Sequence, residues 1–511
     1  MQQTNTPLHS VVIMGGGAAG WLTAGIMAAA STARRPLHIT VVESPDVGIL
    51  GVGEGTWPTM RDTLRKMGID EATLLRECDA SFKQGTCFRQ WYNGQSDDVY
   101  FHPFDLPAGM FETDTLGWWA NGQQHVPYAQ LFSATPQLCK ANKAPKQAQT
   151  PPYAAVANYG YHLDANKFAA LLKRHCMHHL GVKHVELHVS KVEADDHGYL
   201  TALGDGQVQV TGDFFVDCSG FAASLIGQHF GVKLQDQSAI LHNNSALAVQ
   251  ATYRQDTPPI ACTTHSTAHP NGWIWDIALP HRKGVGCVYS SAFCDEDYAR
   301  KTLLDYLNRD TAIEPVSEHQ VRKLSFTPGY RETPWVKNCV AIGAAAGFLE
   351  PLEASALVMT ELAANHVAAQ LPYTREHCAP AARQFNTAMQ NKWSRIIDFL
   401  KLHYVLSTRD DSPYWRSMKN PSGASVQLND WLAMWHHRSP NIHDFQFQDE
   451  LFPLASYLYI LSGMGYAPVE AAPHQIGTKA EQFVRQNYQR SRQLLAALPD
   501  NRILIEQIRQ G

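Results

Sequence analysis

Gly15, Gly17 and Gly20 stand in the order G-x-G-x-x-G, and Glu43 follows them. These residue types at this spacing suit a dinucleotide. Gly15 permits a tight turn, Gly17 lets a pyrophosphate approach the backbone, and Gly20 allows close helix–sheet packing. Amides at the helix N-terminus, those of Ala18 and Ala19, would meet phosphates with a positive dipole behind them. An acid placed like Glu43 suits ribose hydroxyls. A second residue with chemical potential is Lys83, the only lysine of "ECDASFKQGTCFRQW", with apolar or aromatic residues at most alternate positions around it. Burying an ammonium without a partner is expensive. The window alone leaves open whether Lys83 is a surface cation or an amine held inward.

The glycines need a strand before them and a helix after them. Residues 9–16 read as a strand, "LTAGIMAAAS" as a helix, and "LHITVVE" as a second strand closing at Glu43. That βαβ unit puts the fingerprint in the context it requires, so a dinucleotide site is expected. Later, "DCSG" (Asp217–Gly220) and "AIGAAAGFLEP" (Ala341–Pro351) bring Gly343 and Gly347 to a second small-residue turn before a long apolar helix. A return to the cofactor late in the chain favours FAD over NAD. "FAALLKRHCMHHLG" is helical by spacing and precedes strand–turn–strand text. Residues 139–153, "CKANKAPKQAQTPPY", are polar and proline-bearing and predict an exposed excursion, part of a longer one over 95–155. The expected fold is α/β. An FAD-binding, Rossmann-like module of the flavin monooxygenase type, discontinuous and carrying substrate-pocket segments, covers 1–375. A mainly helical region, 376–511, caps the substrate pocket.

A chain of 511 residues, 44% apolar and 17% charged, is long enough for two or three packed regions. A net charge of -5 gives no basic footprint for nucleic acid. No apolar run reaches the roughly 20 residues that span a bilayer, and the N-terminus lacks the pattern of a signal peptide. Ten cysteines occur without a C-x-x-C pair, which points to neither a zinc site nor a disulfide framework and fits a reducing cytoplasm. Among 24 histidines, His175/His178/His179 lie on a helix beside Lys173 and Arg174, and His436/His437/His443 sit in a proline-bearing stretch. Neither group has a metal-ligand spacing, and no metal is expected.

The ordered set "GGGAAGW", "GVGEGTWPT", "ASFKQG", "HPF", "DCSGF", "WIWDI" and "GFLEPLEAS" resembles the flavin-dependent halogenases of the tryptophan halogenase family, from residue 10 to "STRDDSPYWR" and loosely beyond. Trp273, Trp275 and Ile277 match the W-x-W-x-I hallmark that separates these enzymes from ordinary flavin monooxygenases. The family's next proline is Ala278 here, with Pro280 two places on. Gly53 falls in the second of the glycine motifs.

The resemblance implies an activity. Reduced FAD from a separate flavin reductase, with O2, oxidises chloride or bromide to hypohalous acid, which passes through a tunnel to an aromatic substrate. Lys83 falls on the position of the family's relay lysine. An ammonium can polarise the halogen by hydrogen bonding, and an amine deprotonated by burial can form a haloamine. Glu353 matches the second catalytic residue, a carboxylate able to stabilise the cationic arene intermediate and accept its proton. As a plain structural residue it would be a carboxylate at a helix N-terminus, with Pro351 in the first turn. The backbone amides of Ser355 and Ala356 match the halide site. His102 and Phe104 match the walls that sandwich an aromatic ring. Tryptophan-specific relatives hold the amino acid's polar groups with tyrosines and a glutamate. Here the nearest stretch offers Tyr457 and Tyr459, with Met464 about where the acid would stand. An indole-like substrate is therefore expected rather than free tryptophan, with a homodimer left open. An FAD monooxygenase on the same fold and a non-catalytic flavin-binding relative are the alternatives.

Overall fold

The computed structural model describes residues 7–46, 53–255, 258–445, 450–469 and 474–510. Gly51 and Val52, which open the second glycine motif, lie outside them. The chain forms two compact, interleaved units. One holds residues 1–79, 163–237 and 326–393; the other holds 80–162, 238–325 and 394–511. The last of the five crossings between them falls inside the helix Cys378–Val405.

The first unit is built on a six-stranded sheet. Its order is Trp335–Val336, Cys339–Ala341, Phe214–Asp217, Ser10–Met14, His38–Glu43, Lys183–Glu186. Five of these strands run parallel and only Trp335–Val336 is antiparallel. A parallel sheet needs helices on its faces, and its central strands read as continuous apolar runs. "SVVIM" and "FFVD" do so. The helix Ala18–Ala29 crosses from the first strand to the second, its residues Gly20–Met27 all buried. It packs on the helices Ala165–His179 and Ser355–Gln370. Gly25 permits this closeness, because a Cβ there would overlap the Met67 side chain and press on Cys176. A parallel α/β nucleotide-binding module is therefore present, as the βαβ text predicts.

The second unit carries a seven-stranded sheet ordered Arg322–Ser325, Ser245–Thr252, Arg282–Tyr289, Gly272–Ala278, Thr264–His269, Gly85–Arg89, Val99–Pro103. All its pairings are antiparallel except Thr264–His269 with Gly85–Arg89. The W-x-W-x-I residues occupy Gly272–Ala278, buried along its whole length near the middle of the sheet. Ala278 pairs with Lys283 in the ladder, and its carbonyl accepts a bond from Ser81 Oγ at 2.7 Å. Helices Val426–Trp435, Leu454–Gly463 and Asn501–Gln510 bear out a helical C-terminal region.

Two local expectations are corrected. The stretch 139–153 is not wholly exposed: Ala144, Pro145 and Lys146 are buried, and Lys146 is only 3% exposed. Its Nζ donates to the Tyr159 hydroxyl at 3.2 Å and lies 5.8 Å from the Phe82 ring centre, so an aromatic nest shelters a lysine that composition assigns to solvent. Pro351 is not a first-turn proline either, because that helix begins at Ser355.

Candidate active site

In the first unit the glycine turn has the shape its sequence requires. Gly15 has φ +123°, a backbone state that side chains disfavour, and a Cβ there would overlap the Cys218 carbonyl. A Cβ on Gly20 would strike the carbonyl of Gly15, so that glycine closes the turn onto the helix. Gly17 differs: it caps the helix in extended backbone, and nothing lies within 4 Å of where its Cβ would be. An open face at Gly17, backed by the helix-starting amides of Ala18 and Ala19, has the shape and polarity that a pyrophosphate requires. The helix has no acid in its first turn to repel one.

Glu43, at the end of the second strand, lies against Gly16. Its Oε2 accepts from Lys173 Nζ at 2.8 Å and from His184 Nε2 at 2.9 Å, which fixes the carboxylate. Gly343 (φ +73°) opens the later turn, where a Cβ would press on Ala19, so this segment packs beside the glycine turn. Gly53 (φ +134°) is buried just before Glu54–Gly55. Gly347 serves strand pairing, since a Cβ there would crowd Gly329 and Tyr330. Asp217 of "DCSG" is structural: its two oxygens accept from the amides of Ser219, Leu225 and Ile226 and from Ser219 Oγ. These residues fit FAD.

Glu353 is 5% exposed and precedes the helix Ser355–Gln370. Between them Ala354 adopts φ +54°, ψ +43°, a left-handed state uncommon for alanine. A left-handed residue followed by helical ones turns successive amides toward one point, a concavity for a small anion. The amides of Ser355 and Ala356 start that helix. Trp57 Nε1 donates to the Glu353 carbonyl at 2.8 Å. Deeper in the same helix, Glu361 is buried and accepts from Thr59 Oγ1 (3.0 Å) and Thr63 Oγ1 (2.6 Å). Burial pushes its carboxyl up, against the pull of those two hydroxyls.

In the second unit Lys83 is 1% exposed at the end of the strand Ser81–Lys83. The question its sequence window left open is settled: the amine is held inward. Its Nζ lies 5.4 Å from the centre of the half-buried Phe104 ring. Phe104 is held in turn by its amide bond to the Gln84 carbonyl (3.0 Å) and by Asn158 Nδ2 on its own carbonyl (3.0 Å). His102 is buried with Nε2 at 3.0 Å from Ser456 Oγ.

Trp273 packs on Trp91 and Trp275, with centroids 6.2 and 6.3 Å apart. The Trp275 ring covers Gly286, the residue opposite it in the ladder, where any Cβ would overlap the indole. Ile277 is buried on the same face of the strand. Tyr457 and Met464 are both buried, Tyr457 among the rings of Phe399, Trp431, Trp435 and Phe445. Sequence reasoning missed the neighbouring Arg395, which lies over the Trp431 ring and approaches Asp398 and Glu450 at 3.4 and 3.5 Å. Among the described residues no group of His, Cys, Asp and Glu is placed to hold a metal ion, and no helix is long and apolar enough to cross a membrane.

The first unit thus offers a glycine turn suited to a dinucleotide and an acid before a helix start, and the second unit an inward lysine beside an aromatic ring. The chain belongs to the tryptophan halogenase family, whose model matches residues 10–479. Over 99% of both chains it superposes on the crystal structure of a tryptophan halogenase from Shewanella frigidimarina NCIMB 400, with a TM-score of 0.94 and 42% identity. BrvH, a flavin-dependent halogenase from Brevundimonas sp. BAL3, is 31% identical with a TM-score of 0.86, covering 98% of this chain and 99% of its own. The tryptophan 7-halogenase RebH of Lentzea aerocolonigenes is 29% identical over 96% of this chain and 97% of its own. The protein is thus an oxidoreductase that uses FADH2, halide and O2 to halogenate aromatic compounds.

Proposed function

We propose that the enzyme halogenates an indole-like, electron-rich arene rather than free tryptophan, with hypohalous acid delivered to Lys83. The observation that carries this reading is the buried Lys83 amine beside the Phe104 ring. FAD, when bound and reduced, supplies with O2 the oxidation of halide to hypohalous acid. The cradle at Gly15, Gly17, Gly20, Ala18 and Ala19 would hold its pyrophosphate, with Glu43 on the ribose. Gly53, Gly343 and Gly347 complete the proposed cofactor contacts.

Chloride or bromide would sit on the amides of Ser355 and Ala356. Lys83 then receives the hypohalous acid, holding it by hydrogen bonding or as a haloamine. A lysine can reach the neutral amine that a haloamine requires, whereas an arginine cannot. Glu353 stabilises the cationic arene and takes its proton. His102 and Phe104 wall the ring. Met464 stands where a tryptophan-binding acid is expected, so an amino acid's ammonium would lack its counter-charge there, a loss of about 2–3 kcal/mol. Ten free thiols suit a reducing cytoplasm.

The test combines the protein with FAD, a generic flavin reductase, NADH, O2, both halides and catalase. Indole and tryptophan are offered in parallel and products are read by mass spectrometry. Haloindole in excess over halotryptophan is expected. Dominant halotryptophan would reverse the substrate assignment, and hydroxylated product would replace halogenation by oxygen transfer.

A further inference from the structure

Lys83 lies on a three-residue strand whose partner is Gly160–Leu163, with Ser81 opposite His162 and Lys83 opposite Gly160. Alternate residues share a face, so Ser81, Lys83 and His162 project to the same side. His162 is the diagonal neighbour of Lys83, at a spacing of roughly 7–8 Å that long side chains bridge. The position directly opposite Lys83 has no side chain to intervene.

His162 is wholly buried. Its Nε2 meets Thr264 Oγ1 at 2.8 Å, whereas Nδ1, also buried, makes no hydrogen bond. A buried polar atom left bare is costly and points to a partner drawn in at another stage. Burial first, then the electrostatic influence of Lys83 and His265, holds the imidazole well below its usual range, so it stays neutral. If Nε2 is the donor to Thr264 Oγ1, the neutral ring has its lone pair on Nδ1.

We propose that His162 is a positioning residue for Lys83: its Nδ1 accepts one N–H of the lysine and aims the remaining amine positions at the halogen donor. This rests on the relay role assigned to Lys83 above. The lysine stem is flexible and carries three rotatable donors, so one fixed acceptor removes the freedom that would misdirect it. A neutral imidazole does this without adding a second cation.

Asparagine puts an amide oxygen where Nδ1 stands, and glutamine puts its amide where Nε2 stands. His162→Asn should therefore keep most of the halogenated product. His162→Gln, which retains a group toward Thr264, should lose it roughly tenfold while still releasing trappable hypohalous acid. Equal product from wild type and His162→Gln, or greater loss in the asparagine variant, would overturn the assignment. Nitrogen NMR of the His162 ring in wild-type protein gives a reading that needs no variant. Hydrogen on Nε2 is expected, and hydrogen on Nδ1 sinks the proposal even if both variants misfold. Should wild type form no halogenated product, the function above fails while the NMR result still judges the geometry at His162.

Discussion

The indole N–H of Trp57 bonds the backbone carbonyl of Glu353 at 2.8 Å, so a side chain far back in the sequence holds the turn that precedes Ser355. Replacing the indole with a ring that cannot donate leaves that carbonyl unmet and the turn less well fixed. Trp57→Phe should lower kcat by roughly tenfold and raise the KM for halide, with FAD affinity unchanged. Steady-state kinetics with varied bromide, beside a flavin titration, checks both parts.

Lys83→Ala should consume reduced flavin and release hypohalous acid, yet form no halogenated arene. A chemical trap for free hypohalous acid, run beside product analysis, separates the two events. Retained product in that variant would remove the lysine from the reaction. Glu353→Gln should slow turnover by roughly ten- to a thousandfold if the carboxylate takes the arene's proton.

Gly17 and Gly20 serve different ends and should fail differently. A Cβ on Gly20 collides with the Gly15 carbonyl, whereas one on Gly17 meets nothing within 4 Å. Gly20→Ala should destabilise the fold, by about 1–3 kcal/mol for an overpacked turn. Gly17→Ala should melt like wild type and bind FAD poorly, because the methyl occupies the approach to the phosphates. Thermal denaturation and flavin titration of the two variants make the comparison.

Acid should unfold the protein through buried histidines. Burial holds His269 at about 3 and His265 at about 4, and His162 well below its usual range. Their folded values lie below the unfolded value of about 6.5, so the unfolded chain binds the extra protons. Stability from these groups is complete above pH 6.5 and is lost as pH falls. Near pH 5 unfolding should take up about three protons from this set, a steep slope in denaturant midpoint against pH. Glu361 acts in the opposite sense: its raised carboxyl makes stability fall as pH climbs above about 4.5. Glu361→Gln should remove that component.

The opening βαβ unit and its glycine turn were legible because their determinants are local. One strand, one turn and one helix carry Gly15, Gly17 and Gly20, and the short-range pattern defines all three. The sheet order was not legible, since placing Phe214–Asp217 beside Ser10–Met14 depends on pairings between distant segments. Lys83 shows the same limit at a single residue. Its neighbours in sequence do not decide which way it points, because its burial comes from Phe104, from the Gly160–Leu163 strand and from the surrounding fold. Lys146 was misassigned for the converse reason: proline and polar neighbours signal a surface, but the rings of Phe82 and Tyr159 that cover it come from elsewhere. The late start of the helix at Ser355 follows from a left-handed alanine, a conformation no propensity assigns to Ala354.

All ten cysteines are unpaired thiols and nine are buried. Burial raises Cys176 to about 12, and even the half-exposed Cys294 is pushed up to about 11, chiefly by desolvation. Thiolates, not thiols, are the form that oxidants attack fastest. Hypohalous acid, the intermediate oxidant proposed above, would meet the enzyme that forms it before any other protein. Thiols kept covered and protonated would react slowly with such an oxidant, so the packing around these cysteines would bear on how many turnovers each molecule survives.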